Sequence, residues 1–427
     1  MSQTRNLVHD TWARRTRQAV MNAAHGADDF LSRRADVRIL FEAASPMSLA
    51  TFAPVLAHLQ SDPRLAFWFT TADRAWDPAL VFDAQTLATR FISPSRARWT
   101  KFDAYVNTDF WNMTWLHRRA LRIHLFHGVA GKYGLDAPTS IAPVVATFDR
   151  LLFPNQDRRQ RYVEAGLVDG DGPKGVLAGY PKVDCLVDGS LDRQAIGASL
   201  GLDPSRPTVL YAPTWSPYSS LTLMGLDIVN ALLRLDVNVV VKLHDRSAVH
   251  TERGSGGLDW PALFEPLVRA SHLHLARGAD ASPYLFVADA LVTDHSSVGF
   301  EFMLLDRPIV VVDCPELLER ARVSPQKARL LRSAAAVVTT ADAAAQAVLQ
   351  ALSNPSRLGE RRRAIAAELF YRAGGATARA VQSIYEVLTI PAIASPESSR
   401  VNQPLTAQQP LEEDSCRASR DPQAVSA

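Results

Sequence analysis

Short, almost wholly apolar runs recur along the chain, each bounded by polar or turn residues and separated by helix-like stretches, and this alternation constrains the fold more than any other feature. The first is Val37-Arg38-Ile39-Leu40-Phe41, followed by the small-residue turn Ala43-Ala44-Ser45-Pro46 and the helix-like segment Leu49 to Leu59. Leu65 to Phe69, Phe102 to Val106, Ile123 to Phe126 and Val144 to Phe148 repeat the pattern. Strands buried on both faces read as continuous apolar runs, so the series predicts a mostly parallel sheet covered by helices on both sides. A polar connection from Asp188 to Pro207, containing Gly189, Gly197 and Gly201, interrupts it. A second series then begins with Thr208 to Ala212, Val237 to Leu243, Leu273 to Leu275, Ala290 to Thr293 and Ile309 to Val312, with crossovers such as Leu223 to Leu235.

The reading is therefore α/β: two doubly wound, Rossmann-like domains facing a cleft, the architecture known as GT-B. The expected divisions are a basic helical segment over 1–35, a first domain over 36–187, and a second over 188–390 closed by Arg- and Ala-rich helices. The tail 391–427, rich in Pro, Ser, Gln and charge with few large apolar residues, is expected to be disordered.

Composition narrows the function. Lys and Arg total 46 against 44 Asp and Glu, so no global field argues for a nucleic-acid partner. The three cysteines, Cys185, Cys314 and Cys416, form neither a CxxC pair nor a disulfide framework, which fits a reducing compartment. No segment approaches the roughly 20 apolar residues of a membrane span, so a cytoplasmic location is expected, with contact at the membrane surface left open. Arg90, Arg96, Arg98, Lys101, Trp111, Trp115, Arg118, Arg119 and Arg122 form a basic, aromatic-rich stretch that suits an anionic polymer, a lipid headgroup or simply solvent.

Ligands of doubly wound sheets bind beyond the carboxyl ends of strands, which directs attention to three places. His127 follows the run ending at Phe126 and opens His127-Gly128-Val129-Ala130-Gly131-Lys132-Tyr133-Gly134. An imidazole there is a candidate general base or a structural strand cap, and Gly128 lets the backbone approach a ligand. The glycine spacing matches neither a dinucleotide fingerprint nor a phosphate-binding P-loop. Lys242 and His244 are two apart, and on an extended strand they would share one side and present two cations to a phosphate; taken alone, such a pairing is more often incidental.

The third place is Thr293-Asp294-His295-Ser296-Ser297, where an apolar strand ends and a helical stretch begins. Backbone amides at a helix start, with the Ser296 and Ser297 hydroxyls, favour an anion, although either serine could serve as an N-cap. Glu301, one turn on, would accept ribose hydroxyls or be solvated. No compact His and carboxylate set suggests a metal, and no cofactor is expected.

These segments occur in an order that resembles the CDP-glycerol glycerophosphotransferase family: His127-Gly128, Val209-Leu210-Tyr211-Ala212-Pro213-Thr214-Trp215, Lys242-Leu243-His244 and Thr293 to Val298, with Gly179 to Asp184 similar to its interdomain segment. Arg307-Pro308-Ile309 matches the strand after the family's Ser-Ser helix, and the resemblance spans about residues 120–315. It implies that the first domain binds the acceptor and the second the nucleotide donor. His127 would deprotonate an acceptor hydroxyl, which attacks the glycerol-bearing phosphorus of CDP-glycerol and expels CMP. His244 and Lys242 would offset pyrophosphate charge, with Thr214, Asp294, Ser296 and Ser297 lining the donor site. The acceptor would be a cell-envelope polymer or a lipid-linked precursor.

The chain departs from the family pattern at Val129-Ala130, at Asp245 after His244, and at His295 before the two serines. Another CDP-polyol or a nucleotide sugar therefore stays open as donor. A glycosyltransferase, an epimerase relative, or a nucleotide-binding subunit without catalysis are the alternative functions on this scaffold.

Overall fold

A computed structural model describes residues 36–71, 76–110, 116, 119–129, 138–248, 255–270, 272–320 and 323–393, with a few helical positions between 16 and 27. The rest of segment 1–35, the tail from 394 onward, Lys132, Trp111, Trp115 and Arg118 lie outside the described residues.

The first half builds a sheet of six parallel strands: β1 (Val37–Glu42), β2 (Leu65–Thr70), β3 (Ala104–Asn107), β4 (Leu121–Leu125), β5 (Arg150–Phe153) and β6 (Gly175–Leu177), in the order β2-β1-β3-β4-β5-β6. The second half builds another, from β7 (Thr208–Tyr211), β8 (Asn238–Val241), β9 (Leu273–Leu275), β10 (Ala290–Thr293), β11 (Ile309–Val312) and β12 (Ala336–Val338), in the order β12-β11-β10-β7-β8-β9. Strand order reverses between β1 and β3 in the first sheet and between β7 and β10 in the second, and such switch points open crevices at the strands' carboxyl ends.

The connecting helices include α1 (Pro46–Leu59), α2 (Gln156–Glu164), α3 (Ser220–Leu233), α4 (Asp245–Ala248), α5 (Val298–Met303), α6 (Pro325–Arg332), α7 (Ala341–Ser353), α8 (Gly359–Leu369) and α9 (Ala376–Leu388).

Burial on both faces explains the continuous apolar runs. Val209, Tyr211, Val239, Val241, Val310 and Val312 pack with Ile228, Val229 and Leu232 of α3 and with Ala344 and Val348 of α7. The alternate residues Leu210, Val240, Leu291, Ile309 and Val311 pack on the opposite face with Phe300 and Phe302 of α5 and with Ile365 and Leu369 of α8. Each strand thus serves two cores through the simple alternation of its side chains. The first sheet has an aromatic core in which Tyr105, Phe126, Phe148, Phe153 and Tyr162 are buried together.

One expected strand is not a strand. Val144 and Val145 end a short helix, and β5 begins later, at Arg150. Val145 and Phe148 are both buried, a three-residue spacing that suits a helical turn rather than the alternation of a sheet.

The halves are tied by the last helices. Although α9 follows the second sheet in sequence, it packs against α1 and β4 of the first half. Its amino end is capped by Asp184, whose carboxylate accepts from the amides of Gly374, Ala376 and Thr377 at 2.9, 3.1 and 2.6 Å. Nearer its other end, the Tyr385 hydroxyl donates to Asp62 at 2.9 Å. Gly179 sits at this crossing with φ +90°, and an added Cβ would lie 2.6 Å from the Tyr371 carbonyl oxygen. Close backbone approach, as well as the left-handed conformation, requires glycine there.

Candidate active site at the two switch points

On the first sheet, β4 ends at Leu125 and His127 follows on the rim, its side chain 43% exposed. Its Nδ1 lies 2.8 Å from the Thr108 carbonyl oxygen and 3.3 Å from Asp109 Oδ1, both on the turn after β3. A peptide carbonyl can only accept, so Nδ1 carries the proton and Nε2 holds the basic lone pair. Gly128 takes φ +74°, and its carbonyl accepts from the Arg158 guanidinium at 3.1 Å. Arg158, in the first turn of α2, also lies over the Phe126 ring at 5.2 Å.

His124, two residues before Phe126, has the opposite environment. It is buried against Phe110, with ring centroids 4.0 Å apart, and its Nδ1 meets Asn107 Oδ1 at 3.0 Å. Burial pushes its pKa well below the usual histidine value, so this imidazole is a neutral core group.

On the second sheet, Asp294 joins the two sides of the switch point. It is fully buried, and its carboxylate accepts from the Thr214 amide at 2.9 Å, the Ser220 amide at 3.1 Å and the Ser220 hydroxyl at 3.0 Å. The Thr293 hydroxyl adds a bond to the Ala212 carbonyl at 2.7 Å. The expected ligand contact of Asp294 is thus replaced by a stitch between the loops after β7 and β10. Both carboxylate oxygens already have protein donors.

His295 is turned inward, its side chain 1% exposed, with Nε2 3.6 Å from Asp313 Oδ1. Burial lowers its pKa, against the opposing charges of Asp294 and Asp313. Ser296 is 7% exposed, and the Ser297 hydroxyl makes no capping bond to α5. The plain N-cap reading of Ser297 therefore has no support in this geometry.

His244 lies beyond β8. Its Nδ1 accepts the Arg246 amide at 3.1 Å, which places the ring proton on Nε2. Arg246 lies over Trp215 at 5.1 Å, and the Trp215 and His244 rings are 6.2 Å apart. The expected partnership with Lys242 is not formed by strand alternation, because β8 stops at Val241. Lys242 is instead buried and donates to the Leu243 carbonyl at 2.7 Å, with burial lowering its pKa.

Glu301 also differs from expectation. Its Oε2 accepts from Lys182 Nζ at 2.7 Å, and both side chains are 2% exposed. Burial, the largest single influence, opposes the lysine's charge, but Glu301 together with Tyr180 and Asp280 outweighs it and raises the Lys182 pKa. A buried ammonium so close leaves no open carboxylate for ribose. Lys182 was invisible as a partner in the sequence, where 119 residues separate the pair. Asp109, 18 positions before His127, was likewise missed, since only the parallel pairing of β3 with β4 brings their following turns together. Among the described residues no group of three or more His, Cys, Asp or Glu is arranged to hold a metal ion.

Comparison with known proteins agrees with this architecture. Residues 58–386 match the model of the CDP-glycerol:poly(glycerophosphate) glycerophosphotransferase family. The teichoic acid poly(glycerol phosphate) polymerase of Staphylococcus epidermidis is 26% identical over 170 residues, covering 38% of this chain and 22% of that protein. The chain thus aligns with about a fifth of that relative's length.

Among solved structures, the wall teichoic acid polymerase TagF soaked with CDPG superposes with a TM-score of 0.64 at 15% identity, over 88% of this chain and 98% of that one. UDP-GlcNAc 2-epimerase from Neisseria meningitidis, bound to UDP-GlcNAc, gives 0.51 at 14% identity, over 82% and 100%. Both share the GT-B fold. With the family model covering most of its length and the fold in agreement, the chain belongs to the CDP-glycerol:poly(glycerophosphate) glycerophosphotransferase family.

Proposed function

We propose that this protein transfers glycerol phosphate from CDP-glycerol to a hydroxyl of a cell-envelope polymer or lipid-linked acceptor. The observation that carries the reading is the pair of rim histidines held in opposite tautomers. His127 offers an unprotonated Nε2 one strand from the first switch point, and His244 a protonated Nε2 beyond the second sheet.

In this scheme the acceptor hydroxyl gives its proton to His127 Nε2 and its oxygen attacks the glycerol-bearing phosphorus. The bond from that phosphorus to the bridging oxygen breaks, and CMP departs. His244 Nε2–H donates to the pyrophosphate as charge grows on the leaving oxygen, a positioning and electrostatic strategy suited to phosphoryl transfer. Ser296 and Ser297, with Thr214 and Gly128, line the donor and acceptor sides. Lys182, with its partner Glu301, holds the interdomain segment rather than the ligand. Lys132 remains a candidate substrate-binding residue, on its place in the His127 to Gly134 stretch.

The acceptor would meet the side of the first half where Arg90, Arg96, Arg98 and the 41% exposed Trp99 face solvent. That surface suits a polyanion or the headgroups of a membrane to which the protein is peripheral. Among the described residues no helix is long and apolar enough to cross a membrane.

Nucleotide release is the test. CMP formed from CDP-glycerol in the presence of acceptor supports the reading; UDP formed from a UDP-sugar, or binding without turnover, replaces it. His127→Ala should lower turnover by about 10² to 10⁴-fold, the usual contribution of a general base. Turnover near wild type in that variant would remove His127 from the mechanism.

A further inference from the structure

The acceptor-side rim contains a carboxylate that the reaction above leaves without a role. Asp109 follows β3 at the first switch point, with its side chain 15% exposed and Oδ1 3.3 Å from His127 Nδ1. Its other oxygen, Oδ2, accepts from the Ser48 hydroxyl at 2.9 Å and the Thr108 hydroxyl at 3.1 Å. Its backbone carbonyl accepts from the Asn107 side chain. Ser48 is fixed in turn, because it lies in the first turn of α1, where its amide donates to Ser45 Oγ at 3.3 Å. Among the described residues, the group able to carry positive charge that pairs with this carboxylate is His127.

We propose that Asp109 is the positioning residue of the His127 base, holding the ring by Nδ1 and stabilising the imidazolium formed when Nε2 takes the acceptor's proton. The Thr108 carbonyl alone would suffice to select the tautomer. A neutral carbonyl does not offset a full charge, whereas a carboxylate at 3.3 Å in a partly buried site does. The two hydroxyls on Oδ2 keep the carboxylate from rotating away from the ring. Asp109 takes no proton at any stage. The proton moves from the acceptor oxygen to Nε2 as the new oxygen–phosphorus bond forms and the bond to CMP breaks. Asp109 therefore acts through His127 and touches no substrate.

This inference rests on the general-base reading of His127, and the experiment separates the two. Asp109→Asn keeps the size of the side chain and removes its charge. With CDP-glycerol and acceptor, kcat should fall on the order of 10²-fold, no more than on loss of His127 itself, while the donor KM changes little.

Introduced into His127→Ala, the same substitution should produce no further fall. Wild-type kcat in Asp109→Asn, or an equal fall in the His127→Ala background, would overturn the proposal. Should Asp109→Asn fail to fold, Ser48→Ala, which releases one anchor of the carboxylate, should show a smaller fall of the same kind; wild-type kcat there would count against the role.

If the wild type releases no CMP from CDP-glycerol, the donor assignment fails, and nitrogen NMR of the imidazoles decides about Asp109. The His127 signal is identified by its loss in His127→Ala. The Nδ1-protonated tautomer should persist in both proteins, because Thr108 sets it; an Nδ1–H signal that moves upfield in Asp109→Asn, as that of a proton relieved of a carboxylate neighbour does, supports the role, and an unmoved signal refutes it.

Discussion

The two switch points are built from similar strands but treat their polar side chains in opposite ways. On the second sheet, Asp294, Lys242 and Glu301 are buried and engaged with protein partners, while His295 is packed out of solvent. On the first, His127 stands on the rim with its side chain 43% exposed. The groups named on the second sheet shape its loops, whereas His127 on the first presents its side chain to solvent. Changes on the two sides should therefore be read by different instruments.

The sharpest break in this contrast is His127→Ala. Turnover should drop by about 10² to 10⁴-fold, yet thermal melting should stay at the wild-type value, because the side chain removed is exposed rather than packed. A large fall in melting temperature would make His127 part of the frame.

Next in size is Lys182→Met, which leaves Glu301 buried without its counter-charge and should destabilise the fold by about 3–5 kcal/mol in denaturant unfolding. Adding Glu301→Leu should restore most of that loss, since a buried ion pair and an apolar pair of similar volume are close in free energy. Failure of the double variant to recover would mean that the pair does more than hold the interdomain segment.

Asp294→Asn is expected to be milder. It weakens charge-assisted bonds to Thr214 and Ser220 without removing the side chain, and should cost about 1–3 kcal/mol. Loosening of the loops after β7 and β10 should also raise the donor KM while leaving acceptor KM unchanged. A rise confined to acceptor KM would place Asp294 on the wrong side of the comparison.

The smallest effect concerns pH. Asp62 is held at about 2, chiefly by its hydrogen bond from Arg64 and against the desolvation of burial. A carboxyl depressed in the folded state stabilises it at pH values above the unfolded pKa of about 3.9. That contribution declines as pH falls from about 4 through about 2. Melting curves of wild type and Asp62→Asn should therefore converge as the medium becomes acid. Curves that stay parallel would show that the Tyr385 bond, and not the charge, is what Asp62 supplies.

The sequence reveals these regions unequally. Strands β7, β8, β10 and β11 are readable because both of their faces are buried, which leaves unbroken apolar runs. The edge strands β6 and β12 are only three residues long, and the middle residue of β12 is exposed, so neither stands out as a strand buried on both faces. The segment Val144 to Phe148 misleads because a short helix can bury apolar residues three apart within the same number of positions as a strand.

At the site, the sequence discloses positions better than roles. His127, His244 and Asp294 are conspicuous at strand ends, but the partners that define them are distant or conformational. Thr214 and Ser220 lie 80 and 74 positions from Asp294, and Lys182 lies 119 from Glu301. The turning back of Lys242 depends on where β8 stops, which no alternation pattern encodes.

The return of α9 to the first half has a consequence for how the protein is made. Synthesis proceeds from the amino end, so the surface formed by α1 and β4 exists long before residues 376–388 that cover it. During translation the first half must wait, with this apolar face open, while the whole second half is produced. Until Asp184 and Asp62 receive their partners from the emerging helix and its leading turn, that surface is exposed in the way that makes incomplete chains prone to aggregate.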